Sequence, residues 1–531
     1  MLSVSLCTFA ETLNASTPRS RSADVKPRVI ITADPELDDS NSLLRYLLYS
    51  SDFRTEGLIY ASSQFHWKGD GKGTLAVPDG MDYRRLKVKP CPCTSWRWNP
   101  DERFIDDAVA LYSKVYPNLR RHKRGYPTPA SLKDRIRWGN VAFDGEMSED
   151  TPGSDLIKTV LLDDDDAPVY LHAWGGQSTI ARALKSIEDT YKGTIRWNAI
   201  REKIIRKAVI HPSGDQDDTY AKYIKPHWPE IRYQLTLDAV NLSYFAHDAV
   251  SADDALYFSA PWTQKNISAR GRAGSFYYVW GDGRQMVAGD KFDYFGFAGK
   301  SADELQREGY NIWTPIRPKG SFIGEGDTPT FLNLIDNGLK GYLDDSFGGW
   351  GGYLDPAPRL VSMREFNGPF STPVRAPTHP FLAAAQRDFA GRLAWSQATS
   401  YGAANHHPII ILGMPTTLSA KPGTTLSLKG RTRDPDGDKV SLTWWLLEEK
   451  GGTFHKQVLN QRVNGQAVFV VANTAKAGDR IQIVAEATDA GKPALTRYEK
   501  IVIAHGVGRK VLRGGRLADS PYGCHRRRFM C

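Results

Sequence analysis

Several things are scarce in this chain of 531 residues. No apolar run approaches the ~18–20 residues that a membrane-crossing helix needs, so no membrane partner is expected. Cysteine is rare, with Cys7, Cys91, Cys93, Cys524 and Cys531 making up the whole set. Cys91-Pro92-Cys93 is too tight for an easy mutual disulfide, and no cysteine spacing fits a zinc site. A phosphate loop is missing too: Gly69-Asp70-Gly71-Lys72-Gly73-Thr74 fails the G-x-x-x-x-G-K-[ST] spacing, and no helical run follows it. Positive charge is confined. Of the net +9, +6 falls within Gly506–Cys531, where seven Arg and Lys face Asp519 alone. The remainder is near neutral, which leaves no electrostatic footprint for nucleic acid. Residues 506–531 read as a basic disordered tail, and residues 1–26, rich in Ser, Thr and Arg, as disordered or the remnant of a signal peptide.

What is present begins with size. The chain exceeds a single core and predicts two or more domains; hydrophobic residues at 41% and charged at 24% are ordinary for a globular protein. The organising stretch is Val29–Ser40. Val29-Ile30-Ile31-Thr32 predicts a buried strand, and Leu43, Leu44, Leu47 and Leu48 predict a following helix. Between them lie Asp34, Asp38 and Asp39. Three carboxylates on one strand-to-helix turn repel one another and make sense around a hard cation with oxygen ligands. The plainer alternative is that Asp34 and Asp38 cap the helix.

Thr55–Ala61 predicts a second strand, ending in Ser62-Ser63-Gln64. Strand, helix and strand imply a parallel sheet with a right-handed crossover, whose ligands bind beyond the strands' carboxyl ends. Gln64 falls there, as a sugar contact or a satisfied loop amide. Residues 75–150 read as a loop-rich insertion whose clearest helix is Asp101–Val115; Trp96 and Trp98 flank Arg97, as a sugar platform or, more commonly, a packing cluster. Asp155–Leu162 predicts a helix, and Ala167–Ala173 a third strand. In the turn after it Gly175 and Gly176 permit close backbone approach, and Ser178 or Thr179 can cap the next helix. Ile204–Ile210 predicts a fourth strand, ending near Asp217 and Asp218, which are substrate contacts or a polar loop with a helix cap. His66, His172 and His211 lie at strand ends, where a structural role is commoner.

Between Pro226 and Arg317 the pattern breaks into aromatic loops. Glu325–Leu339 then places Asp327 at the start of an apolar helix, Gly348–Tyr353 reads as a cleft-lining aromatic loop or a turn, and residues 379–403 predict a helix. From Ile409 to Ile503 the period changes to two, which predicts a β-sandwich. Asp434-Pro435-Asp436-Gly437-Asp438 within it is a calcium site or, more simply, a hairpin turn.

The Asp34–Asp39 segment resembles the D-x-D-P-G-x-D-D signature of inosine-uridine nucleoside hydrolases, with Thr32 in place of the first Asp and Glu36 in place of Gly. Over Pro27–Ile503 the chain is similar to a family of secreted cellulose-binding proteins with a nucleoside-hydrolase-like domain and a β-sandwich. The resemblance implies an α/β domain over 27–405, mostly parallel sheet flanked by helices, then an immunoglobulin-like, carbohydrate-binding sandwich over 406–505. It implies a Ca²⁺-dependent hydrolase of N-glycosyl or related glycosidic bonds, secreted, acting on a carbohydrate or nucleoside-like substrate, or else a non-catalytic binder of cellulose. By the same resemblance Asp34 is metal ligand and base, Asp38 a catalytic contact to sugar hydroxyls, and Asp39, Asp327 and the Ser178 carbonyl complete the metal shell. Gly326 stands where part of the hydrolase family carries the His that protonates the leaving base. The glycosylation sequons at Asn14, Asn241 and Asn266 agree with secretion.

Overall fold

The computed structural model describes residues 26–80, 83–84, 86–90, 92–342, 348–355, 375–450, 453–462, 465–476 and 479–504. The expectations for residues 1–25, for Cys7, Cys91, Cys524 and Cys531, and for the tail from 506 lie outside them. The chain divides into two compact units, the first running to Asp336 and taking in Lys340–Ala404, the second beginning at Asn405 and taking in Asn337–Leu339.

The first unit is built on a six-stranded parallel sheet. Its elements begin with β1 (Arg28–Ala33), α1 (Leu37–Tyr49) and β2 (Arg54–Tyr60), and continue with α2 (Phe104–His122), β3 (Ile136–Trp138), α3 (Pro152–Leu162) and β4 (Val169–Ala173). They close with α4 (Ser178–Tyr191), α5 (Trp197–Lys207), β5 (Ala208–Pro212), β6 (Arg232–Tyr233) and α6 (Leu382–Gln397). The sheet order is β3-β2-β1-β4-β5-β6, all neighbours parallel. The order reverses at β1, between β2 and β4, and such a switch point opens a crevice at the strands' carboxyl ends. Every residue of β1 is buried, as a strand covered on both faces requires. One core layer packs Ile30, Ile59, Leu171 and Ile210 of the strands against Ile157, Ile180 and Leu184 of α3 and α4. On the opposite face α1 is buried along its whole length and packs on α2 and α6.

Several expectations need correction. The stretch predicted as loop-rich contains β3, an edge strand of the main sheet. It was missed because three residues carry too little period. The helix expected over Asp101–Val115 begins at Phe104 and runs to His122 through Pro117. Ile204–Ile210 is not one strand: α5 runs to Lys207 and β5 starts at Ala208, since Ile200, Ile204 and Ile205 serve a helix face packed on the same core. Neither Ser178 nor Thr179 caps α4, whose N-cap is Gln177 with no side-chain bond; Thr179 Oγ1 instead accepts from the Asn140 N–H at 2.8 Å. After Asp327 only Pro329–Leu332 is α-helical. The Gly348–Tyr353 segment is the turn alternative: Gly349 and Gly352 pair with each other, and Trp350 is buried.

The second unit is the expected sandwich. Its strands are β7 (Ile409–Leu412), β8 (Thr417–Ser419), β9 (Thr425–Arg433), β10 (Val440–Lys450), β11 (Thr453–Val458), β12 (Asn460–Arg462), β13 (Gln466–Val470), β14 (Arg480–Asp489) and β15 (Thr496–Ala504). They form one sheet ordered β8-β15-β14-β10-β11 and another ordered β12-β13-β9-β7. Leu428, Trp444, Ala467, Ile483 and Ile501 meet in the core between them. The Asp434–Asp438 segment is a turn: Asp434 Oδ1 accepts from the N–H groups of Asp436 and Asp438 at 2.8 and 3.0 Å, and Asp436 binds the N–H of His406 at 2.6 Å.

Candidate functional site

The turn between β1 and α1 carries the acidic residues to the carboxyl edge of the sheet. Asp34 directly follows β1 and is fully buried. Its backbone N–H donates to Asp39 Oδ1 at 3.1 Å, which folds the turn back on itself. The N-cap of α1 is Glu36, without a side-chain cap bond. The capping reading of Asp34 and Asp38 is therefore not what the fold adopts. Both glycines after β4 matter here. A Cβ on Gly175 would lie 3.0 Å from Asp34 Cγ, and one on Gly176 only 2.3 Å from Asp217 Oδ2. The turn can approach the carboxylates only because side chains are absent there.

Asp327 reaches the same place from nearly 300 residues away, and a buried ion pair explains how. Arg45 of α1 grips Glu325 through two hydrogen bonds of 2.5 and 2.9 Å, with both side chains almost fully buried. The Tyr277 hydroxyl (2.5 Å) and Thr328 Oγ1 (2.9 Å) donate to the same carboxylate. The strand of loop beyond Glu325 is thereby held over the α1 N-terminus, where the Gly326 N–H donates to Asp38 Oδ2 at 3.1 Å. Sequence reasoning quoted Glu325 only as the start of a segment; nothing in its neighbours announces the Arg45 partner.

A cavity of about 390 Å³ results, with Glu36, Asp38, Asp39 and Asp327 on one wall and Phe65, Trp174, Tyr244, Phe245, Phe292 and Trp313 around it. One oxygen each of Glu36, Asp38 and Asp39 lies within 4.8 Å of the others, and the same holds for ligand atoms of Asp34, Glu36 and His66. The Tyr244 hydroxyl accepts from the Asp38 N–H at 3.3 Å and stands 3.0 Å from Asp38 Oδ1 and 3.3 Å from Glu36 Oε1, so it serves both carboxyls. His66 Nδ1 is 3.4 Å from Asp34 Oδ2 and 3.9 Å from Glu36 Oε2.

Burial and crowding set the electrostatics. Desolvation pushes the Asp38 carboxyl up to about 6, against the Tyr244 hydrogen bond. Burial first, and then neighbouring carboxylates, push Glu36, Asp39 and Asp327 well above the ordinary carboxylate range. Burial also lowers His66, helped by the nearby Arg97 guanidinium. Arg97 lines the cavity as well, in a positive-φ conformation (47°) and tied through Nε to Asp290 at 2.8 Å. Of the three residues Trp96-Arg97-Trp98 it is thus the arginine that reaches the cavity. Trp98 is buried beside Trp138, and Trp96 Nε1 donates to the Tyr83 hydroxyl at 2.5 Å.

Oxygen donors suit a hard cation; the cluster offers carboxylate oxygens, with one imidazole beside them, that could hold a metal ion. Two of its buried oxygens, Asp34 Oδ1 and Asp327 Oδ2, have no hydrogen-bond partner, a costly arrangement for a carboxylate unless something positive faces it.

Five sequence candidates stand apart from the cavity lining, and Asp34, buried beside Glu36 and His66, is one of them. Ser178 is the first residue of α4, where a carbonyl points along the helix axis into the helix's own ladder; Trp174, four residues earlier, is the lining residue of that turn. Asp217 accepts from the N–H groups of Ser178 (2.9 Å) and Thr219 (3.1 Å), tying two turns together. Asp218 pairs with Lys222 at 3.2 Å. Gln64 is buried with neither amide atom hydrogen-bonded. In the segment of Asp217 and Asp218 it is Gln216 and Ser213 that line the cavity. Glu36, Arg97 and Tyr244 are the residues that sequence reasoning did not assign. Glu36 was visible only as a departure from the hydrolase signature.

Comparison with known proteins agrees with this architecture. Residues 28–353 match the family model described as cellulose-binding Sde182, nucleoside hydrolase-like domain, and residues 425–505 match the C-terminal domain of cellulose-binding protein Sde0182. No curated protein sequence matches. Among solved structures, a nucleoside hydrolase-related hypothetical protein from Saccharophagus degradans, described as associated with carbohydrate metabolism, superposes with a TM-score of 0.59 at 23% identity, over 91% of this chain and 100% of that one. That similarity establishes the nucleoside-hydrolase-like fold. Murine CRIg, at 15% identity and a TM-score of 0.16 over 19% of this chain and 100% of its own, is too remote to carry an argument. With more than half of its length matched by one model, and the second model matched in the expected order, the chain belongs to the family of cellulose-binding Sde182 proteins with a nucleoside hydrolase-like domain.

Proposed function

We propose that the first unit hydrolyses N-glycosyl or related glycosidic bonds with a calcium ion held in its acidic cluster. The observation that carries this reading is the meeting of Asp38 and Asp39 with Asp327 in one aromatic-walled cavity at the sheet's switch point. Asp34, Asp39 and Asp327 would hold the ion, and Glu36 adds a carboxylate that the hydrolase signature lacks. Calcium bound there would acidify and position a water. Asp34 keeps one oxygen without a partner and is the proton acceptor, a role open to a carboxylate within reach of that water. Asp38, fixed by Tyr244 and the Gly326 N–H, contacts sugar hydroxyls, while the aromatic rings stack on the sugar or base face. The setting is extracellular and the substrate a carbohydrate or nucleoside-like compound, in keeping with the family's cellulose-binding description.

The test is product release from nucleosides and aryl glycosides. Asp39→Ala and a chelator should each reduce turnover at least a hundredfold. Release that survives both treatments would remove the calcium mechanism.

A second reading, a carbohydrate-binding protein without catalysis, is favoured by Gly326. A Cβ at that position would lie 2.4 Å from Asp38 Oδ2, so a histidine there would have to displace the Asp38 carboxylate. No other histidine is among the described residues lining the cavity. Leaving-group protonation is worth about 10²–10⁴-fold in rate, and a site without it is closer to a binding site. Saturable binding of a cello-oligosaccharide with no turnover of any substrate would establish this alternative.

A further inference from the structure

The two sheets of the second unit differ in charge. The five-stranded sheet carries Glu448, Glu449, Glu486, Asp489 and Glu499 against a similar number of cations. No Asp or Glu occurs in any strand of the four-stranded sheet, whereas Lys429, Arg431, Arg433 and Arg462 do. All four cations are exposed. On β9 the alternation is strict, with Leu428 and Gly430 facing inward and Lys429, Arg431 and Arg433 outward. Gln466 of β13 pairs with Lys429 on one side and Arg462 on the other, which puts the fourth cation in the same cross-strand row as the first. None of the four has an ion pair or a side-chain hydrogen bond among the described residues. Of the acids just beyond Arg433, Asp434 binds two backbone N–H groups and Asp436 binds His406, while Asp438 is half-buried.

We propose that this face binds a linear acidic polysaccharide, a polymer carrying one carboxylate per sugar or per few sugars. Alternate residues of a strand stand about 7 Å apart, so the three cations of β9 span about 13 Å in a line. That spacing is within the ~8 Å screening length at physiological salt, and the row acts on a polyanion as one charged stripe. The partner is extended because the stripe follows a straight strand whose outward side chains are exposed. It is a polysaccharide rather than a nucleic acid because no Trp, Tyr or Phe of the second unit is exposed among the described residues. Stacking platforms are what single-stranded nucleic acid requires. The same lack of exposed rings removes the aromatic platform that would hold a neutral polymer to this sheet, so acidic and neutral polymers should be distinguished here.

The experiment uses the full chain and does not depend on whether the cavity turns over a substrate. Retention by polygalacturonate, by microcrystalline cellulose and by single-stranded DNA is measured at 50 and 300 mM salt, for the wild type and for Lys429→Ser/Arg431→Ser/Arg433→Ser. All three sites are exposed, and the variant's melting temperature checks its fold. The proposal expects polygalacturonate affinity to fall at least tenfold in the variant and at least tenfold in the wild type at the higher salt, with any cellulose binding unchanged. A single substitution, Arg431→Ser, should give a smaller loss in the same direction. No binding of polygalacturonate by the wild type, equal binding by the triple variant, or tighter binding of DNA at equal charge concentration would overturn it.

Discussion

The two ends of one parallel sheet treat buried charge in opposite ways. At the amino end of β1, Arg28 bonds Glu56 at 2.8 Å and also Asp163, and Lys207 reaches Asp163 at 2.6 Å. Each carboxylate has a cation, and Asp163 is held far below its usual range by them, against the cost of its own burial. At the carboxyl end of the same strand, Asp34, Glu36, Asp38, Asp39 and Asp327 converge with no salt-bridged lysine or arginine among the described residues, and the carboxyls with resolved shifts are displaced upward. The amino end is electrostatically complete. The carboxyl end is complete only when protonated or when a cation is supplied, which is the contrast between a satisfied ion-pair network and a cluster that could hold an ion.

The comparison can be broken most severely by removing one half of a buried pair. Arg45→Met leaves Glu325 uncompensated and should cost about 3–5 kcal/mol, read as a lower urea midpoint, with loss of any calcium response because Asp327 is no longer held in place. Arg28→Met should fall in the same direction but by less, since Arg54 still reaches Glu56 and Lys207 still reaches Asp163.

The pH dependence sharpens the contrast. A carboxyl whose folded value lies above its unfolded value favours the folded state when protonated, so that contribution is lost as pH rises. For Asp38, raised from 3.8 to about 6, chelated protein should lose about 2 kcal/mol between pH 4 and pH 7. Glu36, Asp39 and Asp327 act in the same sense. Asp163 at the other end has the opposite sign, its stabilisation being lost only in acid. Denaturation curves at several pH values in chelator would fail this prediction if stability rose over that interval.

Calcium should restore what neutral pH removes. At a hundred times its dissociation constant it adds about 2.7 kcal/mol, a Tm increase of about 3–5 °C at pH 7.5 that vanishes near pH 4.5, where protons occupy the same oxygens. The smallest effect is expected from Asp39→Asn. It removes one charge from the crowded end and should stabilise the chelated protein by about 1–2 kcal/mol at neutral pH while abolishing the calcium shift. An equivalent neutralisation at the amino end, Glu56→Gln, should destabilise.

The sequence by itself determined the strands and helices that carry long periods. Val29–Thr32 could only be buried, the Leu43–Leu48 spacing could only serve a helix, and the period of two after Ile409 required a sandwich. It also marked Asp34, Asp38, Asp39 and Asp327 through the resemblance of two short motifs. Short or shared elements escaped it: β3 is three residues long, and the isoleucines before β5 belong to a helix end. What the tertiary structure decided was which polar residues face the same space. Asp217 and Asp218 look in the chain like a second acidic site, yet one is spent on backbone N–H groups and the other on Lys222. Glu36 looks like a lost glycine and becomes a fifth carboxylate, while Arg97 and Tyr244 join from loops without any period. Local periodicity is fixed by a residue's near neighbours, so it can be read along the chain. The company a buried charge keeps depends on contacts hundreds of residues apart, such as Arg45 with Glu325, and only the folded chain makes them.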